Sequence, residues 1–215
     1  MIRLAYEKEL EKLKLDAIRM SAMCERMINE SVEALVKRDR SAAKAVIESD
    51  DEVDNMERQI EKECLRLFLR QQPVAKDFRE VSAILKMITD LERIGDQAAD
   101  ISQIMLSLDE KEEYVKKLVH IPMMAERAIA MVHEAMLSFI EEDIEKAQKV
   151  IDSDDEVDGL FETIKAEFVE ILRRDGSVAD QALLLMMIAK YLERIADHAT
   201  NLAEWVIYFS TGTKP

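Results

Sequence analysis

The chain is predicted to be all-α: two tandem three-helix bundles, the second an internal repeat of the first, forming one six-helix molecule. Three observations predict it. Glycine and proline number only 4 and 3 in 215 residues, so long stretches carry no helix breaker. Apolar residues recur at three and four rather than in alternation. Val46, Val53, Ile60 and Leu67 are spaced by sevens, and so are Val150, Val157, Ile164 and Ile171. Finally, the chain repeats itself. Residues 46–54 read V-I-E-S-D-D-E-V-D and residues 150–158 read V-I-D-S-D-D-E-V-D, while L-E-R-I-G-D at 91–96 returns as L-E-R-I-A-D at 192–197. Such a repeat decides the architecture before any single element is assigned.

The elements follow in chain order. Residues 1–108 are assigned to the first bundle, 109–121 to a connector, 122–210 to the second bundle and 211–215 to a tail. Each bundle holds three helices of roughly 30 residues, about 45 Å at 1.5 Å per residue. Short loops make them antiparallel. Asp39 to Ser41 separates the first helix from the second. Gln71 to Lys76, with Pro73, separates the second from the third, where Asp77 and Glu80 form a capping-box pattern that satisfies free backbone N–H groups. The third helix carries one apolar stripe: Ile84, Ile88, Leu91, Ile94, Ala98, Ile101, Met105 and Leu108. Within the connector, 110–119 has the makings of a short extra helix. Pro122 suits the first turn of the next helix, whose leading N–H groups lack partners anyway. Asp143, and Arg174 to Ser177 with Gly176, divide the second bundle.

Charge narrows the function. Acids outnumber bases 45 to 30, a net charge of −15. Nucleic acid is not expected as a partner, because affinity there comes from Lys and Arg neutralising phosphates. An anionic membrane surface is disfavoured for the same reason, and cations are attracted. Cys24 and Cys64 both lie in the first repeat, and their counterparts are Ala128 and Phe168. No disulfide framework is expected; both read as small buried residues in a reducing compartment. Positions 1–10 lack the apolar core of a signal peptide. The longest apolar run, Ala182 to Ala189, is too short to span a bilayer. A cytoplasmic protein is expected. With no Gly-rich phosphate loop, nucleophile elbow or Cys–His pairing, a catalytic role is not expected.

The echoed residues are mostly carboxylates. Asp50 and Asp54 are four apart on the second helix, Glu92 and Asp96 four apart on the third, and Asp154, Asp158, Glu193 and Asp197 are their equivalents. Residues four apart sit one turn above each other, with Cβ atoms about 5–6 Å apart, and like charges at that spacing repel. A cation between them reverses the sign. Oxygen-only donor sets suit hard cations, and carboxylates bridge polynuclear sites. Each pair borders an apolar position (Val53, Leu91 or Ile195), so the second and third helices of a bundle are expected to aim four carboxylates at one point. About nine acid pairs at this spacing are expected by chance in so acidic a chain. The weight therefore rests on four pairs at matching positions. Around them the sequence has drifted: Glu57 and Glu61 become Phe161 and Lys165. Asp100, one turn further on, and its counterpart Asn201 complete the candidate metal ligands. Arg93 and Arg194 lie inside the echoed hexapeptides, and ion pairs with neighbouring acids are the plain alternative to a metal. His198 is five after Glu193, off that residue's face, and the Glu-x-x-His of di-iron bundles is missing. The 13 methionines read mostly as core, with a minority left for an adaptable binding surface.

With Asp-x-x-x-Asp in the second helix and L-E-R-I-[G/A]-D in the third, each present twice, the chain over residues 1–210 resembles the PhoU family of phosphate-signalling regulators. The resemblance implies multinuclear iron or zinc clusters, one at Asp50, Asp54, Glu92 and Asp96 and one at Asp154, Asp158, Glu193 and Asp197. It implies a non-enzymatic role: negative regulation of the phosphate regulon, coupling the phosphate ABC transporter, through its ATPase subunit, to a membrane sensor histidine kinase. The protein would then be cytoplasmic, or peripheral to the membrane through those partners, and a homodimer is compatible with it. The change from Asp100 to Asn201 makes the two sites unequal by one acid. Two other readings stay open: a carboxylate-bridged di-metal enzyme in a helical bundle, and a metal-free structural helical interaction module.

Overall fold

Two of the helices start where a short carboxylate takes over backbone N–H groups. The computed structural model describes residues 2–70, 75–110 and 113–213. It contains α1 (Ile2–Lys37), α2 (Arg40–Arg70), α3 (Ala75–Ser107), α4 (His120–Glu141), α5 (Ile144–Asp152), α6 (Asp154–Arg174) and α7 (Ala179–Thr211), with a 3-10 turn at Gly176–Val178. Among the described residues there is no strand. Asp39 Oδ1 accepts the N–H groups of Ser41 and Ala42, each at 3.0 Å, and so starts α2. Asp143 Oδ1 accepts the N–H of Lys146 at 3.0 Å and starts α5. The two repeats also leave their first helices alike. Arg38 and Glu142, equivalent residues, both take left-handed backbone with φ of 57° and 53°.

Six rods result, as the repeat predicts, but the fifth is broken. Ser153 separates α5 from α6 with φ −79° and ψ −9°, and its Oγ donates to the Val150 carbonyl at 2.7 Å. Its counterpart Ser49 makes the same bond to Val46 at 2.7 Å inside an unbroken α2, so that bond alone does not break the rod. Other boundaries move slightly. Helix α3 begins at Ala75, which places Asp77 and Glu80 inside it rather than at a capping box; Glu80 is buried against Lys14 of α1. Helix α4 begins at His120, so the connector ends two residues sooner than expected. The segment 113–119 is irregular, not helical. Gln71 to Val74, with Pro73, lie outside the described residues. At the far end α7 stops where Gly212 adopts φ 85° and returns its N–H to Tyr208 at 2.7 Å; 214–215 lie outside the described residues.

Packing follows the apolar stripes. Helices α1, α3, α4 and α7 form the centre. Helix α2 packs on α1 and α3 along one flank, and α5 and α6 pack on α4 and α7 along the other. Across the middle each central helix meets its own repeat counterpart, α1 against α4 and α3 against α7. That is the pairing a pseudo-two-fold axis requires. One hydrophobic core runs through both repeats, and Cys24 and Cys64 are buried in it.

Replacing Asp39 by Ala should lower stability by about 1 kcal/mol in a urea melt, the usual cost of losing an N-cap. An unchanged midpoint would mean that the backbone turn at Arg38, not the Asp39 side chain, sets the start of α2.

Candidate metal centre

The seam that joins α2 to α3 positions the first set of acids. Val46, Val53, Ile60 and Leu67 on α2 are all at most 2% exposed, as are Ile84, Ile88, Leu91 and Ile94 on α3. Gly95 lets the two backbones close up. A Cβ built there would lie 3.2 Å from Val53 Cγ1 and 3.4 Å from Asp50 Oδ1. The acids flank this contact. Ligand oxygens of Asp54, Glu92 and Asp96 all fall within 4.8 Å of one another. Asp50 Oδ1 and Glu92 Oε2 are buried with no hydrogen-bond partner. Burial, followed by the charges of Asp96 and Asp54, pushes the Asp50 carboxyl up to about 6. Burial and Asp96 raise Glu92, with Arg93 opposing, and burial with Glu61 and Asp54 raises Glu57.

Two arginines attend the cluster from its exposed side. Arg58 reaches Asp54 at 3.1 Å, and Arg93 reaches Asp96 at 2.8 Å. Arg93 Nε also lies 3.3 Å from Glu92 Oε2 without hydrogen-bond alignment. Beneath the cluster, the Cys24 thiol donates to the Leu91 carbonyl at 3.2 Å, and burial drives its pKa far upward. It is a neutral floor, not a thiolate ligand.

The second set is built on α6 and α7 and differs. Burial, then Asp158 and Asp197, pushes Asp154 up to about 6. Burial and Glu193 raise Asp197, while Lys190 opposes. Lys190 forms an ion pair with Glu193 and lies 5.4 Å over the Phe161 ring. Among the described residues, no three donor oxygens of this second set converge as those of Asp54, Glu92 and Asp96 do.

Asp100 and Asn201 are drawn to the α3–α7 interface. The Asn201 amide donates to Asp90 Oδ1 at 3.2 Å, and His198 Nδ1 lies 2.8 Å from the same oxygen. Asn201, expected among the ligands, thus engages Asp90 of the opposite repeat through its amide nitrogen, which is not the atom that would ligate a metal. Asp100 bonds Tyr191, the counterpart of Asp90, and with burial raises that phenol. Sequence reasoning missed Arg58, Lys190, Asp90 and Tyr191. No motif marks them, although the drift from Thr89 to Lys190 was visible once the repeats were aligned.

The first set fits a hard or borderline cation. It offers carboxylate oxygens only, three of them converging, with buried oxygens on Asp50 and Glu92 that the protein leaves without a donor. A sequence model of the PhoU domain matches residues 17–105 and 121–206, one match per repeat. The chain belongs to the PhoU family. It is 37% identical to a phosphate-specific transport system accessory protein PhoU homolog of Clostridium acetobutylicum over 99% of this chain and 97% of that one. With the Aquifex aeolicus PhoU homolog it shares 39% over 95% of this chain and 92% of that one. The crystal structure of PhoU from Pseudomonas aeruginosa matches with a TM-score of 0.92 and 35% identity, covering 97% of this chain and all of that one. The PhoU fold is thus the frame on which these acids are displayed.

Two outcomes are expected of this PhoU family member. Gly95→Val should destabilise it by about 1–3 kcal/mol in chemical denaturation, the cost of overpacking a filled seam; unchanged stability would show that α2 and α3 can separate freely. Asp50 and Asp154 hold pKa values above their unfolded ones, so between about 6 and the ordinary carboxylate range the folded state binds more protons. Stability of metal-free protein should therefore rise as pH falls from 7 to 5. A melting temperature that drops over that interval would contradict the placement of these acids.

Proposed function

We propose that this PhoU family member is a non-enzymatic accessory regulator of phosphate uptake. In this reading it represses the phosphate regulon by coupling the ATPase subunit of the phosphate ABC transporter to a sensor histidine kinase. Asp50, Asp54, Glu92 and Asp96 would hold iron or zinc ions. The observation that carries the metal part is the convergence of Asp54, Glu92 and Asp96 beside partnerless buried oxygens of Asp50 and Glu92. Similarity along nearly the whole chain to proteins named phosphate-specific transport system accessory proteins supports the regulatory part. Bound metal would neutralise the clustered carboxylates and clamp α2 to α3. A protein that acts without catalysis transmits a signal by binding partners differently in two states, and metal occupancy would bias that choice. Among the described residues no helix is long and apolar enough to cross a membrane.

One observation favours a second reading. Arg58 and Arg93 already pair with the converging acids. In that reading the cluster is a metal-free clamp and the protein a helical interaction module.

Deleting the gene should switch on phosphate-starvation reporters in phosphate-rich medium, and the wild-type gene should silence them again. Complementation by Arg58→Gln with Arg93→Gln, which keeps every carboxylate, should succeed if the acids serve to hold metal and fail if the arginine pairs are the clamp. A deletion strain that stays silent in rich phosphate would overturn the regulatory proposal.

A further inference from the structure

We propose that the outer side of α1 and α4 is the surface on which two copies of this chain pair, about a dyad that passes between their Ala130 residues. No metal ion takes part in this contact.

A helix at the surface of a bundle keeps one apolar stripe for the core and leaves its other side polar. Helix α4 departs from that rule. Its inner stripe, with Met124, Ala128, Met131, Ala135 and Phe139, is buried. Its outer side carries a second series: Val119, Met123, Ala130, Leu137 and Ile140, with Glu126 and His133 between them. The steps alternate four and three, the spacing of a helix that buries a seam against another helix. Yet Val119 is 46% exposed, Met123 46% and Ile140 50%. Apolar groups gathered on one exposed face mark a contact surface.

The series reads alike from either end. A second α4 laid antiparallel on the first, Ala130 upon Ala130, brings Val119 to Ile140, Met123 to Leu137 and Glu126 to His133. The His133 ring has Nδ1 3.3 Å from Glu25 Oε2, which leaves Nε2 for Glu126 of the other copy. Ala130, at the axis, has no bulk to hold the backbones apart.

Helix α1 repeats the match alongside. The contact of Glu25 with His133, and Lys14 Nζ 5.9 Å above the Phe139 ring, set α1 antiparallel to α4. Leu15 is then level with Ile140 and Val36 with Val119, and Val36 lines one cleft with Leu118. Leu15 and Val36 are each 48% exposed. They are the repeat equivalents of Val119 and Ile140, so exposed apolar positions recur between the repeats. The same dyad places Leu15 against Val36 of the other copy, and Arg19 against Glu33. Like meets like only at Arg26, whose exposed side chain is long enough to extend into solvent. Self-complementarity under a two-fold is what an isologous dimer requires. A groove built for an unrelated helix needs no such agreement between its two ends.

Sedimentation equilibrium of the untagged full chain tests this. Wild-type protein should sediment as a dimer. Ala130→Glu sets two carboxylates on the axis and should leave single chains, with an unchanged circular dichroism spectrum. Lys44→Glu, on the exposed side of α2, should leave the dimer intact. Ala130→Cys should be joined to its copy by a short bismaleimide, and Lys44→Cys should not; Cys24 and Cys64 are fully buried and stay out of that reaction. Should Ala130→Glu fail to fold, Met123→Glu takes its place. Single chains at every concentration of the wild type overturn the proposal. So does a dimer that survives both Ala130→Glu and Met123→Glu, or a dimer of Ala130→Cys that the reagent does not join.

Discussion

Apolar packing between α2 and α3 forces like charges together, and most of the site's behaviour follows from that constraint. At an effective dielectric of about 20, two unit charges some 5 Å apart repel by roughly 3 kcal/mol, and less where solvent screens them. Burying a large aliphatic side chain contributes about 1.5–3 kcal/mol. The α2 seam alone buries Val46, Val53, Ile60 and Leu67, so the seam outweighs the repulsion it creates. The acids are held by their apolar neighbours, not by one another. Burial first, and then the neighbouring acids, raise the carboxyls of Asp50 and Glu92, while the attending arginines and the fit to a cation answer the same repulsion.

The pseudo-two-fold arrangement brings repeat-equivalent positions together at the α3–α7 crossing. Central helices meet their own counterparts, so residues at the α3–α7 crossing must suit a partner of nearly the same sequence. Position 90 faces position 201 and position 191 faces position 100, as that symmetry demands. The crossing is satisfied once by Asp90 with His198 and Asn201, and once by Tyr191 with Asp100. Each flank is covered by its own second rod, and there one repeat gained Lys190 and Phe161 while the other kept Thr89 and Glu57.

Much of this was legible in the residues. Spacing by sevens and the scarcity of breakers predict the rods, and the repeat predicts their number. Asp39 and Asp143 mark helix starts because a short carboxylate can satisfy backbone N–H groups locally. The broken rod was not legible, since Ser49 and Ser153 sit in almost identical sequence and only one interrupts its helix. Acids at spacing four identified one face of each helix, and their place beside Val53 and Leu91 pointed to the seam between the second and third helices of a repeat. For Asp50, Asp54, Glu92 and Asp96 the neighbour is the other helix of the same repeat. For the Asn201 amide nitrogen it is Asp90 of the opposite repeat. Counter-ions such as Arg58 and Lys190 belong to no motif; only packing brings them to the acids.

Anomalous diffraction from crystals of the untagged protein soaked with zinc puts the central claim to the most direct test. The expected result is a strong peak bounded by the carboxylates of Asp54, Glu92 and Asp96, with Asp50 turned toward it. Carboxylates splayed apart into solvent with no peak between α2 and α3 would contradict it.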